Sequence, residues 1–158
     1  MQNIHLTVAA VIERNKRFLM VEENVHSRKV INQPAGHVEP GESLLAAVIR
    51  ETQEETAWVF SPAAINGVYL WRQPESGERF LRVVFCGSCS NHNPEQTLDD
   101  GILRTLWLSQ AELMLHRNKL RSPMVLRAID DFRAKIRFPM NMFQQLDLED
   151  LAARAKVV

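Results

Sequence analysis

Glu51, Glu54 and Glu55 stand three and four residues apart in the segment Gly36–Trp58, preceded by Glu42 and Arg50. Positions three and four apart share one face of an α-helix, so the three carboxylates form an acidic stripe. Leu44, Ala47 and Val48 continue that stripe backwards, so the face changes from apolar to acidic along its length. Pro40-Gly41 and Ser43 mark the start of the helix and no apolar period survives beyond Trp58, which puts the glutamates at its C-terminal end. Carboxylates there face the negative pole of the helix dipole, at a cost of about 0.3–1 kcal/mol each, and they repel one another. A solvated acidic face is the ordinary meaning of such a cluster. A divalent cation that neutralises it is the functional meaning.

The complete pattern favours the cation. Gly36, five residues, Glu42, seven residues, Arg50-Glu51 and then Glu54-Glu55 resembles the signature of the Nudix hydrolase family. Two positions depart from it: Thr52 stands where the family has an aliphatic residue, and Ala57 where it has glycine. Glycine after a helix supplies a left-handed turn, and alanine there costs about 1 kcal/mol or forces another exit. Neither departure removes a carboxylate.

The resemblance implies hydrolysis of a nucleoside diphosphate linked to a further group, with Mg²⁺ as cofactor and Mn²⁺ as a possible substitute. Mg²⁺ prefers oxygen ligands and shares substrate phosphates, whereas a cysteine or histidine cage would select another metal. Carried over residue by residue, the resemblance makes Glu54 and Glu55 the principal ligands and Glu51 a ligand or the base. A backbone carbonyl of Ala35 or Gly36 joins the metal shell, Arg50 orients a carboxylate and Glu42 supports the loop. Relatives add an acidic residue from a later loop, for which Asp99 or Asp100 is placed; both also read as turn aspartates before Gly101. Candidates for substrate contact are Arg28, Lys29, Arg72 and Arg82 toward phosphate, and Trp71 or Phe80 toward a base or heterocycle. His37 reads as a loop residue that could meet a phosphate.

Further segments, His5–Ala9, Asn32–His37 and Leu120–Pro123, resemble a bacterial phosphatase subgroup of the family. That subgroup acts on nucleoside tri- and diphosphates and on hydroxymethylpyrimidine pyrophosphate, a thiamine precursor. Pro74, sixteen residues beyond Trp58, lies where ADP-ribose hydrolases carry a proline, but the turn Pro74-Glu75-Ser76-Gly77 accounts for it. A regulatory nucleotide-binding domain without catalysis is the rival from another class, and the retained glutamates speak against it.

The elements that must position these residues follow from patterning. Ile4–Glu13 and Arg17–Glu22 read as a hairpin, Asn24–Asn32 as an irregular loop and Ser43–Thr56 as the motif helix. Ile65–Gln73 and Arg79–Cys86 read as a second hairpin, and Asn91–Gly101 as a functional loop. Arg104–Leu108 is a short strand, and Ser109-x-x-Glu112 a capping box that opens a short helix. Ser122-Pro123 then opens a C-terminal helix over about 123–136, serine as cap and proline first inside, with Val125, Ile129, Phe132 and Ile136 as a core stripe. The fold class is α/β, an α+β sandwich; the resemblance sharpens it to a mixed β-sheet between helices, one domain over 1–158.

Composition is that of a soluble globular chain, 46% hydrophobic and 24% charged. Nineteen basic residues balance nineteen acidic ones, which argues against binding long nucleic acid and leaves room for a small nucleotide, with the chain a monomer or homodimer. With no leader pattern and no apolar run of membrane-span length, the expectation is a cytoplasmic protein without a membrane partner. Cys86 and Cys89, ending a strand and lacking a second pair, read as reduced structural thiols.

Overall fold

The computed structural model of the protein describes residues 3–146; residues 1–2 and 147–158, which the expected single domain includes, lie outside the described residues. Its centre is β1 (Ile4–Arg14), whose run of valine, alanine and isoleucine is buried on both faces. Val8, Ala10 and Ile12 pack on Leu44, Ala47 and Val48 of α1 (Leu44–Thr56). Ala9 and Val11 turn the other way, onto Leu113 of α2 (Gln110–Leu115) and Val125, Ala128 and Ile129 of α3 (Met124–Arg133). A strand covered on both sides reads as a continuous apolar run, as β1 does. The result is a mixed sheet between helices, as the sequence led one to expect.

The remaining strands are β2 (Arg17–Val25), β3 (Arg28–Asn32), β4 (Ala35–His37), β5 (Val59–Arg72), β6 (Arg79–Ser90) and β7 (Ile102–Leu108). Their order is β3-β2-β1-β6-β5, with β4 also paired to β1 and β7 to β2. The β1–β6 pair is parallel and the others antiparallel. The β1–β2 hairpin closes through Asn15 and Lys16, both at positive φ (51 and 62). Beyond Glu13↔Phe18 and Arg14↔Arg17 the two strands part, and β1 continues between β4 and β6. The second hairpin is longer than its sequence pattern, and its turn ends at Gly77 with φ +74.

Two expectations are corrected. Asn24–Asn32 is no irregular loop: β2 and β3 pair through Val25↔Arg28, across a turn with His26 and Ser27 at φ 47 and 64. Its polar residues are the exposed side of an edge hairpin, while Ile31 and Asn32 are buried. The C-terminal helix is shorter than 123–136. Ala134 caps it, Lys135 adopts φ 61, and Ile136 lies beyond its end. Ser122 makes no side-chain cap; its hydroxyl is buried without a partner, and its carbonyl accepts from Val125 N–H.

Other readings hold. Ser109 and Glu112 form both arms of the capping box. Cys86 and Cys89 are buried free thiols, and burial pushes both up. Among the described residues no helix is long and apolar enough to cross a membrane.

Candidate active site

Helix α1 begins where Ser43 Oγ accepts the N–H of Ala46 at 3.1 Å. Its buried face runs Leu44, Ala47, Val48, Glu51, Thr52, Glu55 and Thr56, so the stripe does pass from apolar to acidic inside the protein. The threonines there are satisfied locally: Thr52 Oγ1 donates to the carbonyl of Val48 at 2.7 Å, and Thr56 to that of Thr52. A hydroxyl that bonds back one turn fits an aliphatic position, which explains how Thr52 is tolerated. At the exit Ala57 keeps the left-handed turn (φ 60, ψ 16), with its N–H on the carbonyl of Gln53. Alanine therefore bears the strain that glycine would avoid, and the helix ends unchanged.

Gly36 is required by space. A Cβ built there would lie 2.1–2.2 Å from the carboxylate atoms of Glu51. Glu51 thus packs flat against β4 and is 8% exposed. Arg50 gathers the acidic groups. Its Nε and Nη2 donate to the two oxygens of Glu42 (2.8 and 2.9 Å), and Nη1 to Glu51 Oε1 and Glu54 Oε2 (2.8 and 2.9 Å). Nη2 also donates to the carbonyl of His37 at 3.1 Å. A guanidinium with five donors in a fixed fork can hold three carboxylates where an ammonium could not. Glu42 in turn accepts the N–H of Glu39, and the Arg50 bond holds its carboxyl below the usual range.

The loop 91–101 adds the last acid. Asp99 N–H donates to the carbonyl of Glu54 (3.0 Å), Asn93 N–H to that of Ala57 (3.0 Å) and Gln96 Nε2 to that of Gln53 (2.6 Å). The first two satisfy carbonyls that the helix end leaves free, and the third is a second donor on the Gln53 carbonyl, which already accepts from Ala57 N–H. They also bring Asp99 beside the glutamates: oxygens of Glu51, Glu54 and Asp99 lie within 4.8 Å of one another. Ligands of one Mg²⁺ at its usual bond length lie about 3–4 Å apart, so small rotations would close the set. An open cleft of about 580 Å³ borders the cluster, lined by Ala46, Ile49, Arg50, Gln53, Glu54 and Gln96.

Glu55 stands deeper. Its Oε2 accepts the N–H of Ala35 at 2.9 Å, and burial, only partly offset by that bond, pushes its carboxyl up to about 9. Burial raises Glu51 as well, against the pull of Arg50. Two carboxylates disfavoured as anions, on an all-oxygen donor set, suit a hard divalent cation.

Asp100 is exposed and outside the converging trio. Arg28 opens β3 and Arg72 closes β5, exposed at opposite ends of the strand order. Arg82 is 7% exposed, donates to Asn32 Oδ1 at 3.2 Å, and its Nε has no partner among the described residues. Burial lowers its pKa to about 10. Trp71 and Phe80 pair across β5 and β6, half-buried, with ring centroids 5.8 Å apart. His5 escaped sequence reasoning, since a lone histidine at a strand start carries no signal. It stacks on Phe80 at 4.8 Å, and its Nδ1 is 3.3 Å from Nε2 of His37.

A family model for the NUDIX domain matches residues 3–129. The chain is 36% identical over 138 residues to Phosphatase NudJ of Escherichia coli K12, spanning 87% of this chain and 89% of that one. A solved NUDIX hydrolase from Nitrosomonas europaea superposes with a TM-score of 0.89 at 39% identity, covering 92% of this chain and 99% of that chain. The NUDIX domain of Shewanella oneidensis NrtR, solved with ADP ribose, has a TM-score of 0.69 at 18% identity over 85% of this chain and 90% of its own, a likeness of fold.

Proposed function

The chain belongs to the NUDIX family and is a phosphoanhydride hydrolase, and from this premise we propose that it depends on a divalent metal and releases phosphate from small pyrophosphates with Mg²⁺, Mn²⁺ being a possible substitute. The observation that carries the assignment is the convergence of Glu51, Glu54 and Asp99 around one point, braced by Arg50. These three residues would hold the ion, with Glu55 and a carbonyl of Ala35 or Gly36 joining the shell. A bound Mg²⁺ neutralises phosphate charge and activates a water.

The side chains do the rest. Arg50 fixes the carboxylates and leaves Glu51 and Glu54 their remaining oxygens for the ion. Glu51, packed on Gly36, would hold the ion or, in place of that, take the proton of the attacking water. Asp99, exposed on its loop, would supply the third carboxylate.

The substrate class is nucleoside di- and triphosphates and hydroxymethylpyrimidine pyrophosphate, in keeping with the likeness to the NudJ phosphatase. Trp71, Arg72, Arg82 and, from the far edge, Arg28 are the side chains of this chain to test for substrate contact, with Asp100 beside Asp99. We place the enzyme in the cytoplasm, acting as one domain, monomer or homodimer. The regulatory reading is disfavoured because Glu42, Glu51, Glu54 and Glu55 are all retained.

The test is phosphate and pyrophosphate release with Mg²⁺ from nucleotides, ADP-ribose and pyrimidine pyrophosphates. Glu54→Gln should lower turnover by about two orders of magnitude or more with the melting temperature kept. Full activity in that variant removes Glu54 from the metal site, and no release from any substrate removes the proposed substrate class.

A further inference from the structure

Arg14 holds the stem of the loop that carries Asp99. The loop 91–101 leaves β6 after Ser90 and enters β7 at Ile102, and Arg14, the last residue of β1, reaches both of those strands. Its Nη2 donates to the carbonyl of Cys89 at 2.9 Å, just before the loop begins. Its Cζ lies 5.2 Å from the ring centroid of Trp107 on β7. It also lies 4.5 Å from that of Trp58, the residue after the α1 cap Ala57. The two tryptophans meet edge to face, with centroids 6.2 Å apart at 85°. Trp58 in turn stacks on His92 at 4.6 Å and 27°. One guanidinium thus ties together both stems of the loop and the exit of the helix.

Packing anchors little else of the loop. Residues 91–101 are exposed apart from Gln96 and Leu98, which are half-buried. The Trp58–His92 stack is the loop's one ring contact among the described residues. Asn91 turns the chain at φ 50, so His92 folds back over Trp58 while the N–H of Asn93 reaches the carbonyl of Ala57. Ring contact and backbone bond therefore join adjacent residues, 92–93 on 57–58. The bonds further along, from Gln96 and Asp99, lie at the surface, where hydrogen bonds open readily unless something packs beside them. A cation over an indole face and a stacked ring pair each contribute about as much as one net backbone hydrogen bond. The stack therefore supplies a large share of what keeps the loop closed.

We propose that Arg14, Trp58 and His92 are positioning residues for the metal site: the stack fixes the stem of loop 91–101 and, through it, the Asp99 carboxylate against Glu51 and Glu54. This rests on the reading of Asp99 as the third carboxylate. The run from Cys89 to His92 acquires a role in this way, since the Cys89 carbonyl receives Arg14 and His92 covers Trp58.

The experiment measures, on the full chain, Mn²⁺ affinity and, without metal, hydrogen exchange of the Asp99 amide. Arg14→Met and His92→Ala remove exposed side chains, so both variants should fold. Each should raise the Mn²⁺ Kd about tenfold and speed exchange at Asp99 by a similar factor. His92→Phe, which keeps a ring on Trp58, should restore both. In an Asp99→Asn background the same two changes should leave Mn²⁺ affinity where that variant already has it, since no carboxylate remains to be placed. Wild-type affinity and exchange in Arg14→Met and His92→Ala overturn the proposal. So does an equal loss of affinity with and without the Asp99 carboxylate, which is what a merely weakened fold would give. Wild-type Mn²⁺ affinity in Asp99→Asn sinks the carboxylate reading and the positioning role with it. Weak binding in Asp99→Asn, with wild-type behaviour in Arg14→Met and His92→Ala, sinks the stack alone.

Discussion

Adding one methyl group at Gly36 should disable the enzyme while leaving it folded. In Gly36→Ala the new Cβ would lie 2.1–2.2 Å from Cδ, Oε1 and Oε2 of Glu51. Ordinary contact begins near 3.4 Å, so the carboxylate must retreat by more than 1 Å. The atoms that move are the far end of a flexible side chain, and Gly36 has no positive φ for alanine to strain. Glu51 would give up its 2.8 Å bond to Arg50 Nη1. A hydrogen bond to a charged group contributes about 1.5–3 kcal/mol, but burial already disfavours the Glu51 anion and returns part of that loss. Net destabilisation should therefore stay at or below about 2 kcal/mol. Activity is far more sensitive, since a displacement of about 1 Å in a positioned group can cost about a hundredfold in rate. Thermal unfolding, Mn²⁺ titration and initial rates on one sample separate the effects: a small loss of stability, weaker metal binding and kcat lower by about a hundredfold. Gly36→Ala combined with Glu51→Gln should lose little beyond the worse single variant, because both act on the same carboxylate. Wild-type rates and metal affinity in Gly36→Ala would refute the packing of Glu51 on β4.

Two further outcomes concern stability. Ala57→Gly relieves the left-handed exit of α1 (φ 60) and should stabilise the protein by about 1 kcal/mol, raising the melting temperature by about 2–4 °C; no gain would mean that the buried methyl compensates. In metal-free protein, Glu55 moves from 4.5 to about 9, so between those values the folded state holds a proton that the unfolded chain has lost. Stability should fall as pH rises through that window, with Glu51 acting in the same direction, and Glu55→Gln should flatten the fall. Glu22, Glu42 and Glu112, held below 4.5, act only at lower pH, and His37, held below 6.5, raises stability with pH only up to that value, so melting curves from about pH 7 to about pH 8 isolate the effect; a melting temperature that climbs across that range would contradict it.

The chemistry was more legible in the sequence than the architecture that supports it. Glutamates at helical spacing behind Ser43 announced a single acidic stripe, because helix geometry is local. The parallel pairing of His5 with Phe80 was hidden, since nothing in either strand names a partner so distant in the chain. The β2–β3 hairpin leaves no signal in the sequence because His26 and Ser27 make its turn without glycine or proline, and because an edge strand is polar on its open side. Arg82 reads in the sequence as a candidate for phosphate contact; only the assembled sheet shows it buried, with Asn32 meeting its guanidinium. Ser122-Pro123 misled in the opposite direction, since the local signal for a cap is present but the hydroxyl turns inward unpartnered. Asp99 and Asp100 were indistinguishable by type; the structure sets only the Asp99 carboxylate beside Glu51 and Glu54, with its N–H on the Glu54 carbonyl.

The loop 91–101 closes the end of α1 with N–H groups from Asn93, Asp99 and the Gln96 amide, directed at carbonyls of the last helical turn and of its cap Ala57. That arrangement limits how the enzyme can be re-engineered. A loop grafted from a relative to change substrate range must reproduce three donors at fixed offsets, or it will unravel the turn that carries Glu54 and Glu55. Length is constrained as much as composition, because each donor is measured from Ala57 at one end and from Gly101, bound to Asn24, at the other. Diversification should come more easily from the ring-bearing strands β5 and β6, whose side chains can change without disturbing the acidic turn.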